Sequence, residues 1–378
     1  MTPTTILTNA VLVLPDAVLR GTVVMAGARI IDVQPGRAAH PAALDLDGDT
    51  LIPGVVDLHT DNLERQVEPR SNARWPSRSA MLAHDAQCAA AGVTTVLDAL
   101  CVGNLNFEKD RVRTFRDGVA DLDVLTAAAL LKSEHFLHLR CEIPAADMLA
   151  LFDSVADHPR LRLVSLMDHT PGVGQFADLD RYRALRRQGG VSDEEVERRI
   201  AVLQQNRARL RDPQRRALLD RVTGRTIALA SHDDRTAADV AENAADHIGV
   251  SEFPVTMCAA RAAKAAGMQV VAGAPNVVRG GSHSGNVPAA VLLREAAVDA
   301  LASDYVPPSL IEAAFRCAED GIPLPAAIAL VTDRPAQIAG LLDRGRIAPG
   351  QRADLVRVRL HQALPVVRQV WRSGERVA

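Results

Sequence analysis

This chain reads as an α/β protein: a (β/α)8 TIM-like barrel carrying a small β-sandwich formed by both chain ends. Two patterns and a length point there. Between residues 53 and 340 short apolar strands alternate with long helical stretches, and both termini alternate β-branched runs with turn residues. The 378 residues suit a barrel of about 250 residues plus an accessory unit.

The N-terminal pattern occupies residues 4–34, and its counterpart covers residues 353–358 and 366–372. Residues 1–52 and 341–378 are therefore expected to pair into one composite β-sandwich domain around a catalytic barrel of residues 53–340. Barrel strands are expected at residues 55–61, 94–99, 137–142, 161–168, 227–232, 250–254, 269–274 and 300–304. Eight strands close such a barrel. Helix-start signals fill the gaps: Ser192 stands three residues before Glu195, and Asp212 precedes a proline, Pro213, placed to open a helix. Residues 181–222 then make two or three helices on the barrel exterior, docked through Val196, Ile200 and Leu203.

Composition narrows the partners. A chain 48% hydrophobic and 24% charged is globular, and a net charge of −3 without a long basic block argues against nucleic acid. The five cysteines (Cys88, Cys101, Cys141, Cys258, Cys317) form no CxxC pair, which fits a reducing compartment and suggests neither a disulfide framework nor a thiolate zinc site. The first residues lack a secretory pattern and no apolar run reaches membrane-spanning length, so a cytoplasmic protein without membrane contact is expected. A homodimer is the default assembly.

The chemistry-bearing residues gather at strand C-terminal ends, where barrel active sites are built. His59 and Asp61 lie two apart on one strand and so point the same way. Other strands end in Arg140-Cys141-Glu142, Asp168-His169, His232-Asp233-Asp234 and Ser303-Asp304. Ordinary turn chemistry explains any one of these; their recurrence around one rim points to a metal site. A loop over residues 279–286 supplies Arg279, Ser282, His283, Ser284 and Asn286 among several glycines, a set suited to phosphate binding through guanidinium, hydroxyl and backbone N–H groups. Arg65, Arg70, Arg74 and Arg140 are weaker anion contacts, the segment 65–78 reads as a loop over the site, and His84 reads as a surface or capping residue.

The run Leu51–His59 resembles the entry to the first barrel strand of amidohydrolases, and Gly345–Val356 resembles their return to the β-sandwich. The stretches His59–Glu64, Ser231–Asp234, Gly273–Asn286 and Ser303–Tyr305 resemble one family within that superfamily, the PhnM family of α-D-ribose 1-methylphosphonate 5-triphosphate diphosphatases. The resemblance implies hydrolysis of a small anionic phosphorylated substrate to its 5-phosphate with release of pyrophosphate, in phosphonate use through carbon–phosphorus bond cleavage. It also implies one or two divalent ions, zinc first, with manganese or iron also suited to nitrogen and oxygen ligands. His59, Asp61, Glu142, His169, His232 and Asp304 are then the expected metal ligands. Glu142 takes the bridging position, because Lys109, Lys132 and Lys264 all fall in helical or connecting segments. Asp304 doubles as the base for the attacking water, and His283 acts on the leaving pyrophosphate as acid or hydrogen-bond donor. A cyclic amidohydrolase of the dihydroorotase or hydantoinase kind is the alternative enzyme, and a non-catalytic scaffold the alternative from another class.

Overall fold

The computed structural model describes residues 4–70, 73–105, 110–282 and 285–378. Five strands open the chain: β1 (Thr4–Val13), β2 (Val18–Ala26), β3 (Arg29–Pro35), β4 (Leu44–Asp45) and β5 (Thr50–Pro53). The next eight are β6 (Val55–Thr60), β7 (Val93–Val102), β8 (Glu134–Glu142), β9 (Leu161–Met167), β10 (Ala228–His232), β11 (Val250–Glu252), β12 (Gln269–Gly273) and β13 (Ala300–Ala302). These are parallel and hydrogen-bonded in sequence order. Three strands end the chain: β14 (Leu355–His361), β15 (Leu364–Arg372) and β16 (Glu375–Arg376).

The chain ends meet in one eight-stranded sheet ordered β16-β15-β14-β5-β1-β2-β3, with β4 on β1. Strand β5 joins the halves, pairing parallel with β1 and antiparallel with β14. Its core is separate from the barrel's and contains Leu7, Leu12, Val23, Ile30, Leu51, Leu355 and Trp371. The β5 to β6 connection is short, so this sheet anchors the first barrel strand.

Among the described residues, ten α-helices lie between the first and the last barrel strand, and an eleventh directly follows the last. They are α1 (Asn62–Val67), α2 (Ser77–Ala90), α3 (Arg111–Ala127), α4 (Met148–Asp153), α5 (Leu179–Gln188), α6 (Asp193–Val222), α7 (Ala237–Ala245), α8 (Met257–Ala265), α9 (Ala274–Arg279), α10 (Ala289–Arg294) and α11 (Ser309–Glu319). Between β13 and β6 the barrel is clasped at Asp304, whose N–H donates to the His59 carbonyl at 2.9 Å and whose carbonyl accepts from Asp61 N–H at 2.6 Å. The bottom of the barrel interior is apolar, with Leu58, Leu97, Leu163, Ala230, Val271 and Ala300 in contact. Polar side chains take over towards the strand C-termini.

Pro213 does not start a helix. It lies inside the 30-residue α6, whose N-cap is Ser192, accepting from Glu195 N–H at 3.3 Å. The helix buries Val196, Ile200 and Leu203 before the proline and Leu218 and Val222 after it. Packing at both ends outweighs the roughly 3 kcal/mol that an interior proline costs.

Candidate active site

A register shift between Asp57 and Thr60 interrupts the alternation of β6, and His59 and Asp61 both line the cavity at the barrel mouth. His59 is fully buried, and its Nδ1 lies 2.7 Å from Glu252 Oε1 on β11. The other oxygen of Glu252 holds Nδ1 of His232, at the end of β10, at 2.8 Å. Past β9, His169 repeats the arrangement: Nδ1 lies 2.6 Å from Glu142 Oε2, while His169 N–H donates to Oε1 at 2.8 Å. A buried carboxylate thus accepts the Nδ1 proton of each imidazole and leaves Nε2 turned inward, the orientation that metal-binding histidines require.

The Nε2 atoms face aspartates. Asp61 Oδ1 is 3.5 Å from His59 Nε2, and Asp233 Oδ2 is 3.8 Å from His169 Nε2 and 3.7 Å from His232 Nε2. Ligand atoms converge within 4.8 Å in two adjoining groups, His59, Asp61 and Asp304, and His169, His232 and Asp233. His59 Nε2 and Asp233 Oδ2 are buried without a hydrogen-bond partner. Orphaned donors of this kind, aimed together, fit a divalent cation with nitrogen and oxygen ligands. Asp233 (φ +58°) and Asp304 (φ +56°) are both in the left-handed region, which costs each about 1–3 kcal/mol and aims both carboxylates over the barrel mouth.

Electrostatics follow from this crowding. Burial opposes a charge on His59, yet Glu252 and Asp61 raise its pKa to about 10. Burial, reinforced by the charge of Asp61, pushes Asp304 up to about 6. Asp61, although half-buried, is held well below the usual carboxylate range by Arg140, whose Nη1 lies 2.6 Å from Oδ1. Burial takes His138 down to about 3; this neutral ring donates through Nδ1 to the Leu58 carbonyl at 3.0 Å and packs edge-on against His59.

A cavity of about 330 Å³ opens over these groups. All six residues expected as metal ligands line it, and so do Ser282 and Asn286. Glu142 lies at the wall with both oxygens on His169, outside the two converging groups, so it holds an imidazole where a bridging position was expected. Lys132 bonds the Val377 carbonyl and Lys264 pairs with Asp299, both away from the cavity; Lys109 lies outside the described residues. His283 and Ser284 also lie outside them.

Arg279 is exposed at the end of α9 and does not line the cavity. The run after β12 is a helix from Ala274, with Pro275 in its first turn, and it carries Arg279 outward. Among the described residues, the cationic side chains at the wall are Arg111 and Arg140. Glu252 and Asn276 were not singled out from sequence, and Asp233 was named at a strand end without a ligand role. A glutamate inside the buried strand Val-Ser-Glu was the available signal for the first.

His84 is not a surface residue. It is fully buried, with Nε2 2.7 Å from Asp98 Oδ1. Asp98 Oδ2 lies 2.9 Å from His135 Nδ1, and His135 Nε2 lies 3.1 Å from Asp85 Oδ1. At the near end Asn62, next to Asp61, donates to His84 Nδ1 at 2.9 Å. Both nitrogens of each ring are hydrogen-bonded, so this cluster closes on itself, unlike the one in the cavity.

A parallel eight-stranded barrel with imidazoles and carboxylates converging at its mouth defines an amidohydrolase. The Amidohydrolase family matches residues 259–378. The fold is that of solved amidohydrolases: dihydropyrimidinase from Brevibacillus agri superimposes with a TM-score of 0.65 at 12% identity, over 99% of this chain and 95% of that one. N-acetylglucosamine-6-phosphate deacetylase from Pasteurella multocida gives 0.64 at 13% identity, over 99% of each chain. The α-D-ribose 1-methylphosphonate 5-triphosphate diphosphatase of Escherichia coli K12 is 41% identical over 377 residues, 98% of this chain and 100% of that protein. The chain belongs to the family of that enzyme, the PhnM family of the amidohydrolase superfamily.

Proposed function

We propose that this protein hydrolyses α-D-ribose 1-methylphosphonate 5-triphosphate, cleaving the anhydride between the first and second phosphoryl groups to leave the 5-phosphate and release pyrophosphate. The observation that carries the reading is the 41% identity sustained from end to end of both chains. The cavity supplies the chemistry such a reaction needs. His59, Asp61 and Asp304 would hold one divalent ion and His169, His232 and Asp233 a second, with zinc, manganese or iron suited to the donor set. When bound, such ions acidify a water and draw charge from phosphoryl oxygens.

The chain's own groups do the rest. Glu252 and Glu142 keep the imidazoles fixed through Nδ1. Asp304, whose carboxyl burial pushes up to about 6, takes the proton of the attacking water. Ser282, Asn286 and Asn276 offer neutral hydrogen-bonding groups to the substrate at the far wall. Phe176 and Phe253, packed against His169 and His59, exclude bulk water from the imidazoles. No helix among the described residues is long and apolar enough to cross a membrane, which is compatible with work in the cytoplasm on a soluble metabolite.

The test is metal content together with pyrophosphate release from the ribosyl methylphosphonate triphosphate, before and after chelation. Release that chelation abolishes and metal restores supports the assignment. Bound metal with no release from this substrate would overturn the reaction and return attention to amide-ring hydrolysis.

A further inference from the structure

The cavity poses an electrostatic problem. Its wall holds four carboxylates, Asp61, Glu142, Asp233 and Asp304, yet the reading above has it admit a triphosphate. Among the described residues lining it, fixed positive charge comes from Arg111 and Arg140 alone. Arg111 stands at the start of α3 with Nε 3.4 Å from Glu64. Arg65, Arg74 and Arg279, which sequence brought forward, are elsewhere: Arg65 bonds the Tyr305 carbonyl, Arg74 bonds Thr114 and Asp117, and Arg279 is exposed.

Arg140 is placed differently. It lies on β8 between His138 and Glu142 on the same side of the strand, and only 6% of it is exposed. The residue lines the cavity, its Nη1 donates to Asp61 at 2.6 Å, and its Nε is buried with no hydrogen-bond partner. A buried guanidinium nitrogen without an acceptor is costly unless a ligand supplies one. Its planar fork of five N–H donors can hold a carboxylate at one edge and a phosphoryl group at another.

We propose that Arg140 is the triphosphate-positioning residue of this site: it binds a phosphoryl group of the substrate while Nη1 remains on Asp61, so that one side chain fixes the anion relative to a metal-holding carboxylate. This rests on the triphosphate reading of the cavity. The same side chain offsets the charge of Asp61, whose repulsion the incoming anion would otherwise meet.

The test uses metal-loaded protein and inorganic tripolyphosphate as the probe, with calorimetric binding, metal content, kcat and KM measured for wild type, Arg140→Gln and Arg140→Lys. Arg140→Gln should weaken tripolyphosphate binding by roughly 10- to 100-fold at unchanged metal content. Arg140→Lys, which keeps the charge without the fork, should recover much of the affinity and little of kcat. Unchanged tripolyphosphate binding in Arg140→Gln overturns the proposal. So does weakened binding only in step with lost metal, since the arginine would then serve Asp61 alone. Should wild type bind tripolyphosphate but release no pyrophosphate from the ribosyl substrate, the reaction assigned above fails, and the variants still decide the role of Arg140.

Discussion

Glu252 Oε1 sits 2.7 Å from His59 Nδ1, and through its second oxygen the same carboxylate fixes His232 at 2.8 Å. One buried side chain therefore orients two imidazoles from opposite sides of the cavity mouth, on β6 and β10, and stacks their rings at 5.8 Å. Glu252→Gln keeps the volume but leaves one acceptor oxygen where two are used. It should lower metal affinity about 10- to 100-fold, the range for losing a carboxylate behind a ligating histidine. Metal titration with competing chelators reads this directly, and wild-type affinity in the variant would show that the imidazoles do not depend on Glu252.

Asp304 is tied into the barrel closure through its backbone, so its side chain can be changed with little effect on the fold. Both main-chain bonds across to His59 and Asp61 survive in Asp304→Asn. The variant should lose turnover by about 100- to 10,000-fold, the usual contribution of a proton-accepting side chain, with any further loss reflecting weaker metal binding. Its circular dichroism and melting should stay close to wild type. Turnover within a few-fold of wild type would remove Asp304 from the proton-accepting role.

The barrel was legible because its signals are local. Each strand is a short apolar run, and the predicted segment 269–274 differs from β12 (Gln269–Gly273) by one residue. His59, His169 and His232 were legible because a histidine ending an apolar strand is conspicuous. Partnership was not. Nothing local says that Glu252 pairs with a histidine 193 residues earlier, or that Asp233 faces the cavity while Asp234 turns to Ser231, Ser251 and Asn243. Arg279 was misplaced because its glycine-rich surroundings obscured a helix that Pro275 announces. His84 was misplaced because its partners, Asp98 on β7 and Asn62 on α1, reach it only once the chain has folded.

Gly285 tests the loop beside Ser282 and Asn286. Its φ of +69° belongs to the left-handed region, and a Cβ there would lie 2.5 Å from Arg181 Nη1. Gly285→Ala should cost about 1 kcal/mol or more of loop stability and displace the neighbouring Asn286. The expected result is a raised KM for the triphosphate with metal content unchanged. An unaltered KM would show that the loop's backbone does not set substrate affinity.

The buried chain Asp85–His135–Asp98–His84 makes a pH prediction. Both nitrogens of His135 face carboxylates, so both carry protons; burial opposes that charge, but Asp98 and Asp85 raise the pKa to about 9. A folded pKa above the unfolded value of about 6.5 means that the stabilisation is complete below that pH and disappears as pH rises through about 9. Asp98 and Asp85 are held low by the same contacts, so their contribution is complete above about 4 and falls away in acid. The network therefore stabilises most between about pH 4 and 6.5. His135→Gln strands two buried aspartates and should cost about 3–5 kcal/mol at pH 6. Urea unfolding of both proteins from pH 6 to 10 gives the decisive comparison, because the gap between them should narrow as wild type loses its proton. A gap that stays constant to pH 10 would mean that His135 is neutral in the folded protein, and that the chain from Asp85 to Asn62 is held by hydrogen bonds without a buried charge.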